Sequence, residues 1–272
     1  MKVAYLGDEY SHTFAACGVL AKGMEAVSFS TMRAVAESVT EGECDCCVLP
    51  VENSLEGAVT ATADILNELP LFIRAQTALA IHHDLIGVSG ASLESVKTVY
   101  SHPQALAQCE KWLRNNLPKA RLVSTFSTSY ALQLLKSEQE AAIARAPRQG
   151  QKVIAENVED SRGNATRFLL LSKKCGTHGK RGSVIFGAEN KPGGLLDVLK
   201  LFEKERVNMT RIESRPSKRV LGEYIFFVDY TFERQESELS LLKELSLKNI
   251  PTKYLGRYDD INRLEAETDL WD

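Results

Sequence analysis

Over its first 150 residues the chain alternates short apolar runs with stretches of helical periodicity, and that rhythm restricts the fold more than any other feature. Val3-Ala4-Tyr5-Leu6, Ala26-Val27-Ser28-Phe29, Cys46-Cys47-Val48-Leu49, Val96-Lys97-Thr98-Val99-Tyr100, Leu122-Val123 and Ala141-Ala142-Ile143-Ala144 read as strands. Helices are expected between them at about 13–22, 31–41, 56–67, 103–115 and 128–137. Such alternation predicts mostly parallel sheets covered by helices. The apolar stretch from Leu71 to Ile86 interrupts the rhythm and reads as one long strand crossing from a first lobe to a second. At 272 residues and 44% hydrophobic, the chain has material for a sizeable core and for two domains more readily than one.

The pattern changes after residue 172. Ser172 to Gly182 carries three glycines and four basic residues and reads as a linker. Beyond it come a strand (183–188), a helix (194–205), two strands (207–214 and 224–230), a helix (236–247) and a strand (252–255). This is the βαββαβ order of a split ferredoxin-like unit. The acidic tail from Tyr258 carries no legible function.

With 33 basic and 36 acidic residues, net charge −3 and no long single-sign run, nothing in the charge points to nucleic acid or an anionic membrane. No signal-peptide core and no apolar run of transmembrane length is present, so the chain reads as cytoplasmic. Cys44-Asp45-Cys46-Cys47 invites a metal reading, but no second pair completes a ligand set; reduced, partly buried thiols on a strand are expected, and no metal.

Four stretches hold more polar groups than packing needs. Glu52-Asn53-Ser54 follows a strand and precedes a helix, where Asn53 or Ser54 can cap. Ser101-His102-Pro103-Gln104 repeats the arrangement, with Ser101 as candidate cap and Pro103 in the first turn. Gln104 and Gln108, four apart, share a helix face. Ser127-Thr128-Ser129 is a weaker third anion cradle. Last, the turn-forming run Asp160 to Asn164 enters the apolar Phe168-Leu169-Leu170-Leu171, leaving Thr166 and Arg167 at a strand start, a common ligand position in α/β proteins.

In this order and spacing, these motifs resemble the prephenate dehydratase family. The resemblance rests on Glu52-Asn53-Ser54 with Gly57, Ser101-His102-Pro103-Gln104-Ala105-Leu106 with Gln108-Cys109, and Asn164-Ala165-Thr166-Arg167-Phe168. Asn190-Lys191-Pro192-Gly193 and Glu213-Ser214-Arg215-Pro216 extend it into the last domain. It implies an α/β catalytic region of two lobes, like a type 2 periplasmic binding protein, over residues 1–172: lobe 1 about 1–78 and 153–172, lobe 2 about 79–152. A linker (173–182), a ferredoxin-like ACT regulatory domain (183–260) and a tail (261–272) follow. With no helical chorismate mutase segment before the first strand, the chain looks like the monofunctional form. Three stretches depart from the family pattern. The loop Gly7 to His12 is about two residues short and lacks a Gly-Thr pair, Ala144 to Gly150 replaces a longer helix, and Tyr130 stands where an acidic residue is common.

The implied reaction takes prephenate to phenylpyruvate, water and carbon dioxide in phenylalanine biosynthesis. It needs no cofactor, since no redox step is involved and the new aromatic ring absorbs the electrons. The resemblance makes Thr166 the catalytic donor to the departing hydroxyl and gives substrate binding to Glu52, Asn53, Ser54, Ser101, Gln104, Gln108, Arg167 and Phe168. Neighbouring side chains on a strand point to opposite faces, so Thr166 and Arg167 cannot both face substrate if the strand already includes them. L-Phenylalanine is the implied inhibitor, bound by Asn190, Gly193, Gly194, Leu195, Leu196, Glu213, Ser214, Arg215 and Pro216 between ACT domains of a homodimer or homotetramer. Arogenate dehydration and a non-catalytic sensor of amino or aromatic acids stay open as alternatives.

Overall fold

In a computed structural model of the chain, residues 1–218, 220 and 222–261 are described; all but the first residue of the expected tail lies outside them. The first lobe holds β1 (Lys2–Leu6), α1 (His12–Leu20), β2 (Glu25–Phe29), α2 (Met32–Glu41), β3 (Cys46–Asn53), the short β4 (Gly57–Ala58), α3 (Thr60–Glu68) and β5 (Phe72–Ala80). The second holds β6 (Asp84–Val88), β7 (Thr98–Ser101), α4 (Pro103–Gln108), α5 (Glu110–Asn116), β8 (Arg121–Ser124), α6 (Thr128–Ala131), β9 (Glu140–Ala144) and β10 (Gln151–Ala155). β11 (Ala165–Ser172) returns to the first lobe. β12 (Arg181–Gly187), α7 (Gly194–Lys204), β13 (Asn208–Pro216), β14 (Tyr224–Thr231), α8 (Gln235–Leu247) and β15 (Thr252–Asp260) follow in the expected βαββαβ order.

One sheet runs β13-β14-β12-β15-β5-β11-β3-β1-β2, with β4 on β3, and the other runs β10-β6-β9-β7-β8. Two lobes of the type 2 periplasmic-binding-protein kind thus carry a ferredoxin-like unit. The sheets are mixed, not mostly parallel: β11 is antiparallel to both β3 and β5, and β6 to both β9 and β10. The double crossing is the cause, because β5 leaves the first lobe and β11 comes back beside it. The single strand expected from Leu71 to Ile86 is two strands, β5 and β6, in different sheets, with Ile81-His82-His83 as the crossing. β10 belongs to the second sheet, so the return crossing starts after Ala155, where the sequence suggested 153. Helix 103–115 breaks at Cys109, and helix 128–137 shrinks to α6 followed by a 3-10 turn, Leu132–Leu134.

β15 pairs in parallel with β5 at Asp259↔Ala75 and Asp260↔Gln76, which makes the C-terminal sheet continuous with that of the first lobe. A single core runs through the junction, where Leu49, Leu66, Ile73 and Leu171 meet Ile185, Phe227, Leu255 and Tyr258. Burial of each such side chain contributes about 1.5–3 kcal/mol, so the C-terminal unit is packed on the first lobe, not tethered to it. Its other face is closed by α7 and α8 over Phe186, Phe202, Val228, Tyr230 and Leu241. Polar contacts also fasten the same junction. Arg215 reaches Asp64 on α3 at 3.2 and 3.3 Å, and Lys253 Nζ donates to the α3 C-terminal carbonyls of Leu66 and Leu69, both at 2.6 Å.

Candidate active site

β3 ends at Asn53 where β11 begins, and the register sets Thr166 opposite Asn53 and Arg167 opposite Glu52. Side chains alternate along a strand, so the first pair faces the cleft between the lobes and the second faces away from it. Asn53 is buried, and its orientation is fixed by its own loop. Its Oδ1 accepts from the backbone N–H of Leu55 (3.0 Å) and Glu56 (3.2 Å), an arrangement open to Asn because its amide imitates a backbone turn. Its Nδ2 must therefore donate, to Asn164 Oδ1 at 2.8 Å and to Thr166 Oγ1 at 2.9 Å.

Every further direction in the network follows. Asn164 Nδ2 donates to Gln108 Oε1 at 3.1 Å, and Gln108 Nε2 donates to Glu56 Oε1 at 3.4 Å. Gln108 Oε1 also meets His83 Nε2 at 2.9 Å, so that nitrogen carries the proton. Buried amides are thus satisfied in one consistent sense across both lobes. The consequence for Thr166 is chemical. Its oxygen accepts from Asn53, which leaves its hydroxyl proton free to be donated into the cleft.

The cleft is a cavity of about 310 Å³, within the range of small-ligand sites. Asn53, Thr166, Phe168 and His12 line it from the first lobe, Gln104, Gln108, Phe126, Ser127 and Thr128 from the second, and Ile81, His83 and Asn164 from the crossings. Among the described residues, none of its lining side chains is Lys, Arg, Asp or Glu. Glu159 ties the crossing down: its carboxylate takes His82 Nδ1 at 2.9 Å and the His83 backbone N–H at 3.0 Å. Burial pushes that carboxyl up, yet these two bonds outweigh it and hold it below the ordinary range.

Of the residues expected to bind substrate, Asn53, Gln104, Gln108 and Phe168 line the cavity with Thr166, and four do not. Arg167 requires a correction. It lies within β11, its guanidinium points to the far face, and it donates to Asp229 Oδ2 (2.5 Å) and Gln76 Oε1 (2.8 Å), with Glu52 Oε2 in ion-pair range 3.3 Å from its Nε. Burial works against its charge, but Asp229, Tyr258 and Glu52 more than restore it. Glu52 is turned the same way as the partner of Arg167 and Arg211. Ser101 is fully buried and donates to the Ile143 carbonyl at 2.7 Å; the cap of α4 is His102, whose Nδ1 accepts from Gln104 N. Ser54 clips the loop ahead of β11, donating to the Gly163 carbonyl (3.0 Å) and accepting from Ala165 N (2.9 Å).

His12, His83 and Phe126 were not legible as site residues. The histidines lie far apart in sequence and carry no ligand spacing, and Phe126 sits in a loop that only the fold brings to the cleft. The two altered stretches meet in space. Arg148 pairs with Asp8 at 2.5 Å and stacks 4.4 Å above the Tyr10 ring, while Arg145 Nε donates to the Tyr10 carbonyl at 3.3 Å. The short first loop is therefore clasped by the opposite lobe.

At the C-terminal unit, Gly193 (φ +82) turns the chain into α7 and needs the left-handed freedom of glycine. A Cβ on Gly194 would run into the Glu189 carbonyl oxygen. Asn190 lies in this turn, with Leu195 and the half-exposed Leu196 on the first helical turn. Glu213, Ser214, Arg215 and Pro216 end β13, the outer strand of the sheet, and Arg215 is already engaged by Asp64. All five described histidines and six cysteines fail to assemble a metal cluster among the described residues.

Residues 3–176 match the family model of prephenate dehydratase, and residues 182–246 that of the ACT domain. The prephenate dehydratase of Methanocaldococcus jannaschii is 40% identical over 223 residues, 78% of this chain and 80% of that one. That of Lactococcus lactis subsp. cremoris is 35% identical over 274 residues, covering 95% and 97%. The crystal structure of the Arthrobacter aurescens prephenate dehydratase in complex with L-Phe is similar with a TM-score of 0.86 at 29% identity, over 99% of this chain and 93% of that one. A two-lobed α/β region with an ACT domain packed on it, matched along nearly its whole length by these relatives, makes the chain a member of the prephenate dehydratase family, enzymes of the lyase class.

Proposed function

We propose that this cleft converts prephenate to phenylpyruvate, in phenylalanine biosynthesis and in the cytoplasm. The ring C–O bond breaks as the hydroxyl leaves as water, the bond to the ring carboxylate breaks to release carbon dioxide, and the ring becomes aromatic. Thr166 donates its free hydroxyl proton to the departing oxygen as negative charge develops there. The electron pair released from the carboxylate enters the ring as carbon dioxide leaves, and solvent returns one proton to the Thr166 oxygen. A hydroxyl is a weak bulk acid, but a donor fixed in a dry site is worth far more than one in water. The observation that carries this reading is the Asn53–Thr166 bond, which holds the oxygen and frees the proton. Gln104, Ser127 and Thr128 offer neutral donors to the substrate carboxylates from the second lobe. Phe168, Ile81 and Phe126 supply apolar surface for the ring.

Prephenate is favoured over arogenate by the lining itself. The ammonium of arogenate calls for a carboxylate, and among the described residues none lines the cavity. The test is to incubate the purified protein separately with each compound and follow the aromatic product by absorbance. Turnover of prephenate at least tenfold faster is expected; faster turnover of arogenate, or of neither, overturns the reading.

Regulation is part of the same proposal. L-Phenylalanine binds at the α7 turn (Asn190 to Leu196) against Glu213 to Pro216, between ACT units of a homodimer or homotetramer, and lowers turnover. The relative crystallised with L-Phe supports this, and the Arg215–Asp64 pair joins that strand end to α3 of the first lobe. By linkage, substrate then weakens phenylalanine binding by the factor with which phenylalanine weakens substrate binding.

A further inference from the structure

α3 is a poor helix by its own sequence. It has 9 residues, fewer than the roughly 12–15 an isolated helix needs in water. No side chain caps its N-terminus and no basic residue stands in its last turn, where Glu68 instead opposes the helix dipole. Asp64 and Glu68, four apart, put two negative charges on one face. Apart from Arg33 of α2, which pairs with Glu68, what offsets this among the described residues comes from the C-terminal unit, 150 to 187 residues later in the chain. Lys253 of β15 donates to the carbonyls of Leu66 (2.6 Å), Asn67 (3.3 Å) and Leu69 (2.6 Å), so one ammonium caps the helix C-terminus. Arg215 pairs with Asp64, and Lys218 stands 2.8 Å from Asp64 and 3.4 Å from Glu68. Burial works to raise the Asp64 carboxyl, but Arg215 and Lys218 outweigh it and hold it below the ordinary range.

The other end of α3 is joined to the proton-donor site by a very short piece of chain. Between Asn53 and Thr60 lie only the turn 54–56, β4 and Val59. β4 pairs with the end of β3, Gly57 against Asn53 and Ala58 against Glu52, and Val59 N donates to the Val51 carbonyl at 3.0 Å. Thr62 Oγ1 donates to the Pro50 carbonyl at 2.5 Å, and Leu66 packs in the same core as Leu49 and Val51. α3 is thus fixed to the last residues of β3. Leu55 and Glu56 are the residues whose N–H groups hold Asn53 Oδ1, and that orientation aims Asn53 Nδ2 at Thr166. Without those two donors the Asn53 amide is free to flip and turn its oxygen toward Thr166. The threonine proton then goes to Asn53 and not into the cleft.

We propose that α3 is a positioning arm: Lys253, Arg215 and Lys218 of the C-terminal unit hold the helix, and the helix holds the 54–58 segment that orients Asn53 for Thr166. Lys253 is then a positioning residue for the reaction, although it is not among the residues lining the cleft. This deepens the dehydratase reading and rests on it for the identity of the reaction. The physical ground is the cooperativity of a short helix. Removing its cap frays the last turn, and so few residues remain that the anchorage of β4 loosens with it. Arg215 also belongs to the strand end proposed for phenylalanine, so a ligand there acts on the same arm.

The test is hydrogen exchange of the full-length protein without substrate, read by mass spectrometry on peptides covering 54–58, 60–69 and 140–144. Lys253→Met keeps the apolar stem and removes the ammonium. Exchange at 60–69 rises under any role for the cap. The arm requires a rise at 54–58 as well, by about threefold or more, with 140–144 in the second lobe at the parent level. Asp64→Asn, which removes the charge that Arg215 and Lys218 pair with, is read in the same way, with the same pattern expected, where Lys253→Met does not fold by circular dichroism. In prephenate turnover, Lys253→Met should lower kcat by about 3–10-fold with KM within about twofold. In an Asn53→Ala background the same change should lower kcat by less than about 1.5-fold, because both act through one bond. Parent-level exchange at 54–58, a rise of equal size at 140–144, or the full kcat loss in the Asn53→Ala background overturns the proposal. Turnover by the parent with parent-level exchange at 54–58 removes the arm alone. A parent protein that does not turn over prephenate removes the dehydratase reading, and exchange at 54–58 still decides the arm.

Discussion

Arg167 lies beside the proposed proton donor, and its role can be separated from substrate binding by a double-mutant cycle with Asp229. In the folded protein the Arg167 side chain is 15% exposed and that of Asp229 is 3% exposed, with 2.5 Å between them. Replacing Arg167 with Met leaves the Asp229 carboxylate buried, a change that costs about 3–5 kcal/mol when nothing compensates. Here Ser183 Oγ still donates to Asp229 at 2.6 Å and Arg211 stands 3.9 Å away, which reduces the expected cost to about 2–3 kcal/mol. Loss of the Glu52 contact adds little, because that carboxylate is 41% exposed and well hydrated. For a chain of this size the loss corresponds to a midpoint about 4–6 °C lower by scanning calorimetry. Asp229→Asn should also destabilise, and the double variant should be less damaged than the sum by about 1–2 kcal/mol. KM for prephenate should stay within about twofold. An Arg167→Met protein with unchanged midpoint and KM raised tenfold or more would put the guanidinium on the substrate and refute this geometry.

Other expectations follow from single contacts. Asn53→Ala removes the donor that holds the Thr166 oxygen and strands the Asn164 carbonyl; steady-state assays should show kcat falling by roughly 10–100-fold, about 1.4–2.7 kcal/mol, and normal kcat would contradict the network. Arg148→Gln cuts the clasp on Asp8 and Tyr10; KM should rise several-fold, and added salt should raise KM in the parent but not in the variant, whereas equal salt responses would show that the ion pair is idle. Burial pushes the Cys17 and Cys109 thiols up to about 12 and the Cys46 and Cys47 thiols higher still. A thiol reagent at pH 8 should therefore label the half-buried Cys175 far faster than these four, and all six only after denaturation.

The order of elements in the C-terminal unit was legible, because its connections are rich in Gly, Pro and charge, but its last strand, expected to end at Leu255, runs on to Asp260, where pairing with β5 extends it. The cleft was legible only where chemistry sits on local signals. Asn53, Gln104, Gln108, Thr166 and Phe168 stand at capped turns or strand starts. Arg167 was placed on the wrong face because its partner Asp229 lies 62 residues later, beyond any local pattern. Ser101 and Ser54 looked like ligand groups but are consumed by the backbone of Ile143 and of the loop before β11. The crossing at Ile81-His82-His83 was hidden by its composition, for it contains none of the residues that mark a turn. That same omission hid His83, which lines the cleft.

The most direct test of the cleft chemistry is the turnover of Thr166→Val on prephenate, followed as phenylpyruvate by absorbance at saturating substrate. Valine keeps the shape of threonine and removes the one proton the Asn53 bond leaves free. A kcat lower by roughly 10²-fold or more, with the folded state intact by circular dichroism, is the expected result. A folded Thr166→Val protein that turns over at the parent rate would contradict it.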